Sequence, residues 1–244
     1  MPLWSWLILV LVLSSACSPQ QQDSLRMGLA SAPNNLDPRL ASDATSERIN
    51  RLLYGRLVDF DTAARPVPSL ADWDRLGPTH CRFRLRPDLR PFHDGQLLRA
   101  ADVKATFDFI LDPANASPHR TTLSVIDRVE TRGDDAVDFH LQRPDPLFPA
   151  YLGIGLVPAA LTAAGHPFNS HPVGNGPFRF IAWPQPEKLV LERLSDGQRV
   201  QFLQVKDPNV RIMKLLRGEI DMTQNDLPPE LADYLTSKSG VHIT

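Results

Sequence analysis

Residues 81–111 read CRFRLRPDLRPFHDGQLLRAADVKATFDFIL, and three kinds of local structure follow one another along them. Cys81, Phe83 and Leu85 alternate with Arg82, Arg84 and Arg86. A period of two is that of a strand with one face buried. His93-Asp94-Gly95 is a turn. From Asp102 to Leu111, Val103, Phe107 and Ile110 recur on one side of a helix. Strand, turn and helix in such quick succession predict a mixed α/β or α+β architecture.

The pattern continues on both sides. Upstream, Leu25 to Ala30 reads as a first strand, and Ala32-Pro33-Asn34-Asn35-Leu36-Asp37-Pro38 is dense in turn residues. Thr45 or Ser46 is placed to cap a helix running to about Leu57, with Ile49, Leu52, Leu53 and Leu57 at helical spacing. Arg65 to Pro78 carries three prolines and is expected to be loop. Downstream, Val125 to Arg132 and Ala136 to Leu141 form a hairpin pattern across Gly133-Asp134-Asp135. Pro177 to Trp183, Lys188 to Arg193 and Val200 to Val205 are further strands. The best-defined helix starts at Asp207-Pro208: Asp207 can accept amide hydrogen bonds, Pro208 suits the first helical position, and Gly218 can take the left-handed position after Arg217. Ile220 to Met222 resumes as a strand, and a helix follows Pro228-Pro229.

The N-terminus decides the compartment. Leu3 to Leu13 is apolar apart from Ser5, too short for a bilayer-spanning helix of about 20 residues and of the length of an export signal. Ser14-Ser15-Ala16-Cys17 looks like a bacterial lipobox, with cleavage after residue 16 and a lipid on Cys17. Ser14 stands where leucine is usual, and Met1-Pro2-Leu3-Trp4 lacks lysine and arginine. An ordinary signal peptide and a buried N-terminal helix are the alternatives. Residues 17–24 read as a polar, flexible tether.

Composition narrows the function. The chain of 244 residues has 26 Lys and Arg against 28 Asp and Glu, a net charge of −2, so no basic field points to nucleic acid. Its 23 prolines, about 9% against a usual 5%, argue for many ordered connections. Two cysteines, Cys17 and Cys81, exclude a disulfide framework and an all-cysteine zinc site, and Cys81 is expected to be a buried free thiol. Signals for catalysis, metal or cofactor are weak. His93-Asp94 reads better as a turn than as a ligand pair, and His166 and His171 lack a matching ligand pair. Gly174-Asn175-Gly176-Pro177 lacks the lysine and helix of a phosphate loop. No serine sits in a nucleophile elbow. Export, anchoring and ordered loops fit a binding protein better than an enzyme.

Several segments, in order, resemble the extracytoplasmic solute-binding proteins of family 5, the peptide, nickel and opine group serving ABC importers. Asn35-Leu36-Asp37-Pro38 resembles the early "LDP" loop. Leu53-Tyr54-Gly55-Arg56-Leu57-Val58 and Pro66-Val67-Pro68-Ser69-Leu70-Ala71-Asp72-Trp73 resemble "lYegLv…PaLAesW". Phe83-Arg84-Leu85-Arg86, Phe92-His93-Asp94-Gly95 and Ala100-Ala101-Asp102-Val103 resemble the signature "F-x-LR…F-x-DG…A-x-DV". Pro172-Val173-Gly174-Asn175-Gly176-Pro177-Phe178 resembles "PvGTGPY", and Leu215-Leu216-Arg217-Gly218-Glu219-Ile220-Asp221 resembles "L-x-x-GEiD". Arg99 departs from the family's serine or threonine cap, a loss of about 1 kcal/mol, while Asp102 still favours the helix dipole.

The resemblance implies an α/β fold like the type II periplasmic binding proteins. Residues 25–59 and 172–244 would form the core of lobe one, 60–171 its extra subdomain, and the second lobe would be absent. It implies a non-catalytic substrate-binding component of an ABC importer, anchored by lipid outside the cytoplasmic membrane of a bacterium. This component would carry an oligopeptide or similar solute to permease subunits. Ligand contacts carried over by position are Ser31, Ala32, Pro33, Asn34 and Asn35 in the loop before "LDP", and His119 at the end of Asp112-Pro113-Ala114-Asn115-Ala116-Ser117-Pro118-His119. Asn225 and Asp226 follow the "GEiD" strand, where Asp226 is equally placed to cap a helix. With one lobe, affinity is expected to be millimolar or nil. The competing readings are a truncated or split receptor half without independent binding, and an envelope hydrolase.

Overall fold

The computed structural model describes residues 24–224 and 227–243. In chain order the elements are β1 (Leu25–Leu29), α1 (Ala44–Leu53), β2 (Val58–Phe60), β3 (Pro66–Pro68), β4 (Ala71–Gly77), β5 (His80–Leu85), α2 (Ala100–Leu111) and α3 (Arg120–Leu123). They continue with β6 (Ile126–Arg132), β7 (Ala136–Leu141), α4 (Ala159–Ala163), β8 (Phe178–Gln185), β9 (Lys188–Arg193), β10 (Arg199–Gln204), α5 (Pro208–Leu216), β11 (Met222–Thr223) and α6 (Pro229–Thr236).

Two larger sheets organise the molecule. The first has the order β11-β1-β10-β9-β8; β1 runs parallel to both β10 and β11, and the remaining pairs are antiparallel. Leu29, Ile49, Leu53, Leu189, Leu191, Val200 and Phe202 share one core between this sheet and α1. The second sheet is antiparallel, with order β4-β5-β7-β6. Cys81, Phe83, Val137 and Phe139 point from it toward Val103, Phe107 and Ile110 of α2. Phe83, Phe107 and Phe148 each meet the Phe139 ring with centroids 5.3–5.5 Å apart. The alternation read in residues 81–86 is therefore that of an inward apolar and an outward charged face, and Cys81 is the buried free thiol expected.

Four local expectations are corrected. α1 is capped by Asp43, whose carboxylate accepts from Ser46 N at 2.9 Å, and not by Thr45 or Ser46. It ends at Leu53 rather than Leu57, because Gly55 N turns away to the Asn175 side chain at 2.9 Å. Residues 65–78 are not all loop: the prolines stop at Pro68 and return at Pro78, and β4 between them pairs with β5. Opposite charges meet across that ladder, Arg86 with Asp72 at 2.8 Å and Arg84 with Asp74. The short strand expected at Ile220 to Met222 is Met222–Thr223, starting two residues later and ending one residue later.

Two recurrent motifs have mechanical roles. Gly174 and Gly176 lie against the end of α1, where Gly176 N donates to Leu53 O at 2.8 Å. A Cβ on Gly174 would stand 2.1 Å from the Leu53 carbonyl oxygen, and one on Gly176 2.3 Å from that of Leu52. The turn at 93–95 clamps the same segment: His93 N donates to Gly174 O at 2.7 Å, and His93 Nε2 lies 3.2 Å from Gly176 O. Burial holds the His93 imidazole below its usual value. The second motif ends in Asp221, which binds Arg26 through its backbone N at 2.7 Å and its guanidinium at 2.8 Å, fastening β11 to β1. Gly218 takes the left-handed conformation expected of it, with φ +68°.

At the start of α2, Arg99 supplies no side-chain cap. Asp102 accepts instead from Arg99 N at 2.8 Å and from Ala159 N at 2.7 Å, and Ala100 N donates to Asp134 O. The local weakness implied by Arg99 is offset by these bonds.

Candidate ligand-binding site

Parallel pairing puts the carboxyl ends of β1, β10 and β11 on one edge of the first sheet, with Leu29 opposite Gln204 and Gly28 opposite Thr223. Ligands of open α/β sheets lie beyond the carboxyl ends of parallel strands. The loop from 30 to 43 leaves β1 at this edge, and α1 returns from it.

The loop is held to the first turn of α1. Ser31 Oγ and Thr45 Oγ1 are 2.7 Å apart, and Ser46 Oγ accepts from Asn34 N at 2.9 Å and Asn35 N at 3.1 Å. Asn35 Oδ1 accepts from Asp37 N at 2.8 Å. Pro33 is buried, Ala32 and Asn35 are half-buried, and Ser31 and Asn34 are exposed. Beneath them, Asp37 and Arg39 form a buried ion pair of 2.7 Å, and the guanidinium stacks 3.8 Å above the Phe109 ring. This pair fixes the loop from below and leaves its outer polar groups facing outward.

His119 reaches the same place from the other sheet's helix. The loop after α2 carries Ser117, whose buried hydroxyl donates to Arg39 O at 2.6 Å. His119 follows two residues later, with its N–H donating to Ser117 Oγ at 3.3 Å. Partial burial pushes up the carboxyl of Glu47 in the first turn of α1. His119 Nε2 has no hydrogen-bond partner among the described residues. The Ser117–Arg39 bond thus sets the loop that carries His119 against the 30–43 loop that carries Ser31–Asn35. Asn225 and Asp226 lie outside the described residues; the N-cap position of α6 is Pro228. So do Cys17 and the rest of the export and tether segment up to residue 23.

Three contributors were missed by sequence reasoning: Thr45 and Ser46, read as caps, and Glu47. The available signal was Asp43 three residues before Ser46, which would have released both hydroxyls from the capping role.

Comparison with known proteins decides the class. The family model described as bacterial extracellular solute-binding proteins, family 5 Middle, matches residues 65–243. The chain belongs to family 5 of the bacterial extracellular solute-binding proteins. Among curated family 5 relatives, the glutathione-binding protein GsiB of Pectobacterium atrosepticum is 30% identical over 207 residues, covering 79% of this chain and 40% of the relative. The oligopeptide-binding protein AppA of Bacillus subtilis is 27% identical, covering 85% of this chain and 41% of its own length. NikZ from Campylobacter jejuni, solved with Ni(L-His), superposes with a TM-score of 0.80 at 25% identity, over 89% of this chain and 46% of NikZ. AgaA from A. tumefacien R10, solved with agropinic acid, gives 0.80 at 27% identity over 88% and 46%. The chain spans under half the length of the curated relatives it matches. Its fold is that of one lobe of a type II periplasmic binding protein, and family 5 members are solute-binding rather than catalytic proteins. No helix among the described residues is long and apolar enough to cross a membrane.

Proposed function

We propose that this chain acts as the substrate-binding component of an ABC importer, capturing oligopeptides or a similar solute outside the cytoplasmic membrane and delivering them to permease subunits without catalysis. Cys17 carries the lipid anchor, and residues 17–24 are its tether. Residues 25–59 and 172–244 make the core of lobe one, and 60–171 the extra subdomain. The ligand lies against Ser31–Asn35 and His119, with Asn225 and Asp226 at the neighbouring strand end. The observation that carries this reading is the convergence of the 31–35 loop, the first turn of α1 and His119 at the carboxyl edge of the parallel strands.

A polypeptide ligand has many backbone donors and acceptors, and this edge offers the exposed Ser31 and Asn34 side chains and the buried, unpartnered Nε2 of His119 to meet them. Capture works by closure: contacts complete only when two lobes share the ligand stabilise the closed state. One lobe alone retains a fraction of them and binds at about the millimolar level. Equilibrium titration of the chain with mixed oligopeptides tests the reading. Weak, saturable binding without hydrolysis is expected; micromolar affinity of this chain alone would refute the sharing of ligand between lobes, and turnover of the peptides would restore the hydrolase reading.

A second reading, a receptor half that needs a complementary polypeptide, is favoured by an apolar groove of about 340 Å³ lined by Leu25, Met27, Leu52, Phe178, Phe202 and Met222. Grooves of this kind are normally covered. Monodisperse, cooperatively unfolding protein in the absence of any partner would count against it.

A further inference from the structure

The outward face of the second sheet holds a polar cluster that solute capture does not use. His80 on β5 and His140 on β7 are direct cross-strand neighbours. Their rings stack with centroids 4.4 Å apart and planes at 21°. Neither Nε2 has a hydrogen-bond partner of proper geometry. The nearest carboxylate oxygens are Asp138 Oδ2, 3.3 Å from His80 Nε2, and Glu130 Oε2, 3.4 Å from His140 Nε2. One ligand atom from each of His80, Asp138 and His140 falls within 4.8 Å of the other two.

A cation already sits between the two carboxylates. Arg132 donates from Nε to Asp138 Oδ2 at 2.8 Å and from Nη2 to Glu130 Oε2 at 2.7 Å. Its side chain is about half exposed. Asp138 keeps a second partner in Arg82, which donates at 2.7 and 2.8 Å, and Glu130 keeps Arg128 at 2.9 Å. The guanidinium of Arg132 therefore occupies the Asp138 oxygen that lies 3.3 Å from His80 Nε2.

We propose that His80, His140 and Asp138 form a site for a zinc-like divalent ion, which enters by displacing Arg132. Two imidazoles with one carboxylate make a borderline-soft set of three ligands with an open fourth position, which suits zinc and disfavours magnesium and calcium. Ligand distances of about 2.0–2.2 Å require the three atoms to close inward by up to roughly 1 Å, within reach of side-chain rotation on a rigid sheet. Arg132 swings into water, its partly exposed pair with Glu130 costs little to lose, and the ion takes its place on the buried Asp138, which keeps Arg82.

Calorimetric titration of the chain with zinc chloride, in chelator-free buffer near neutral pH and with magnesium chloride as control, tests the site. One zinc per chain at about micromolar affinity is expected, with no response to magnesium. His80→Ala and His140→Ala should each weaken binding about tenfold or more. Arg132→Gln should tighten it several-fold, because the competing cation is gone; scattered surface binding would not respond in that direction. Circular dichroism checks that each variant is folded, and where an alanine variant is not, the Arg132→Gln titration decides alone. Absence of zinc binding below about 100 μM, equal affinity in the folded histidine variants, or an unchanged affinity in Arg132→Gln would overturn the proposal.

Discussion

Ser117 Oγ donates a 2.6 Å hydrogen bond to the backbone carbonyl of Arg39, tying the loop that leaves α2 to the loop that leaves β1. Both partners are buried. The bond joins the helix of one sheet to the strand edge of the other and brings His119 beside α1. Replacing Ser117 by alanine leaves a buried carbonyl unsatisfied. Urea denaturation should show Ser117→Ala to be about 1–2 kcal/mol less stable. A change below a few tenths would mean that the contact does not fix the loop.

The glycines of the 174–176 segment should separate sharply from those at turns. Gly174→Ala forces a Cβ to within 2.1 Å of a backbone oxygen at the end of α1. The helix end or the segment must move, with a loss of about 3 kcal/mol or more. Gly218 has nothing within 4 Å of such a Cβ and pays only for its positive φ; Gly218→Ala should lose about 1 kcal/mol. Thermal melts of the two variants compare them directly, and equal losses would contradict the packing described.

Acid should weaken the clamp at His93. Burial keeps its folded-state value below that of the unfolded chain, about 6.5. Between those two values the unfolded state binds the extra proton, so stability is complete above about pH 6.5 and falls as pH drops toward the folded value. The slope from this one group cannot exceed about 1.4 kcal/mol per pH unit. Urea midpoints from pH 7.5 to 5.5 should fall in the parent chain and fall less in His93→Gln. Parallel curves would show that His93 is not the group responsible.

Much of this architecture is written in local patterns. The period of two in residues 81–86, the Asp207-Pro208 start of α5 and Gly218 at its end describe single elements, and local physics settles them. Strand β4 was hidden because Pro66, Pro68 and Pro78 bracket it, while the evidence for it lies across the ladder in Arg84 and Arg86. The extent of α1 was overread because Leu57 keeps the helical spacing; the chain leaves the helix only because Asn175, far along the sequence, takes Gly55 N. At the candidate site, resemblance proposes Ser31–Asn35 and His119, but not the hydroxyls of Thr45 and Ser46 that hold the loop. Their exposure to the loop depends on Asp43 doing the capping. His80 and His140 are 60 positions apart in the sequence, and only the β5–β7 register makes them neighbours.

The central claim is that solute lies at the carboxyl edge of the parallel strands. Amide chemical-shift mapping of the chain, titrated with an oligopeptide mixture to about 10 mM, tests it most directly. Shifts concentrated at Ser31, Asn34, Asn35, Glu47 and His119, saturating at about millimolar concentration, are predicted. No shift at these residues, or shifts centred on another face, would contradict the account.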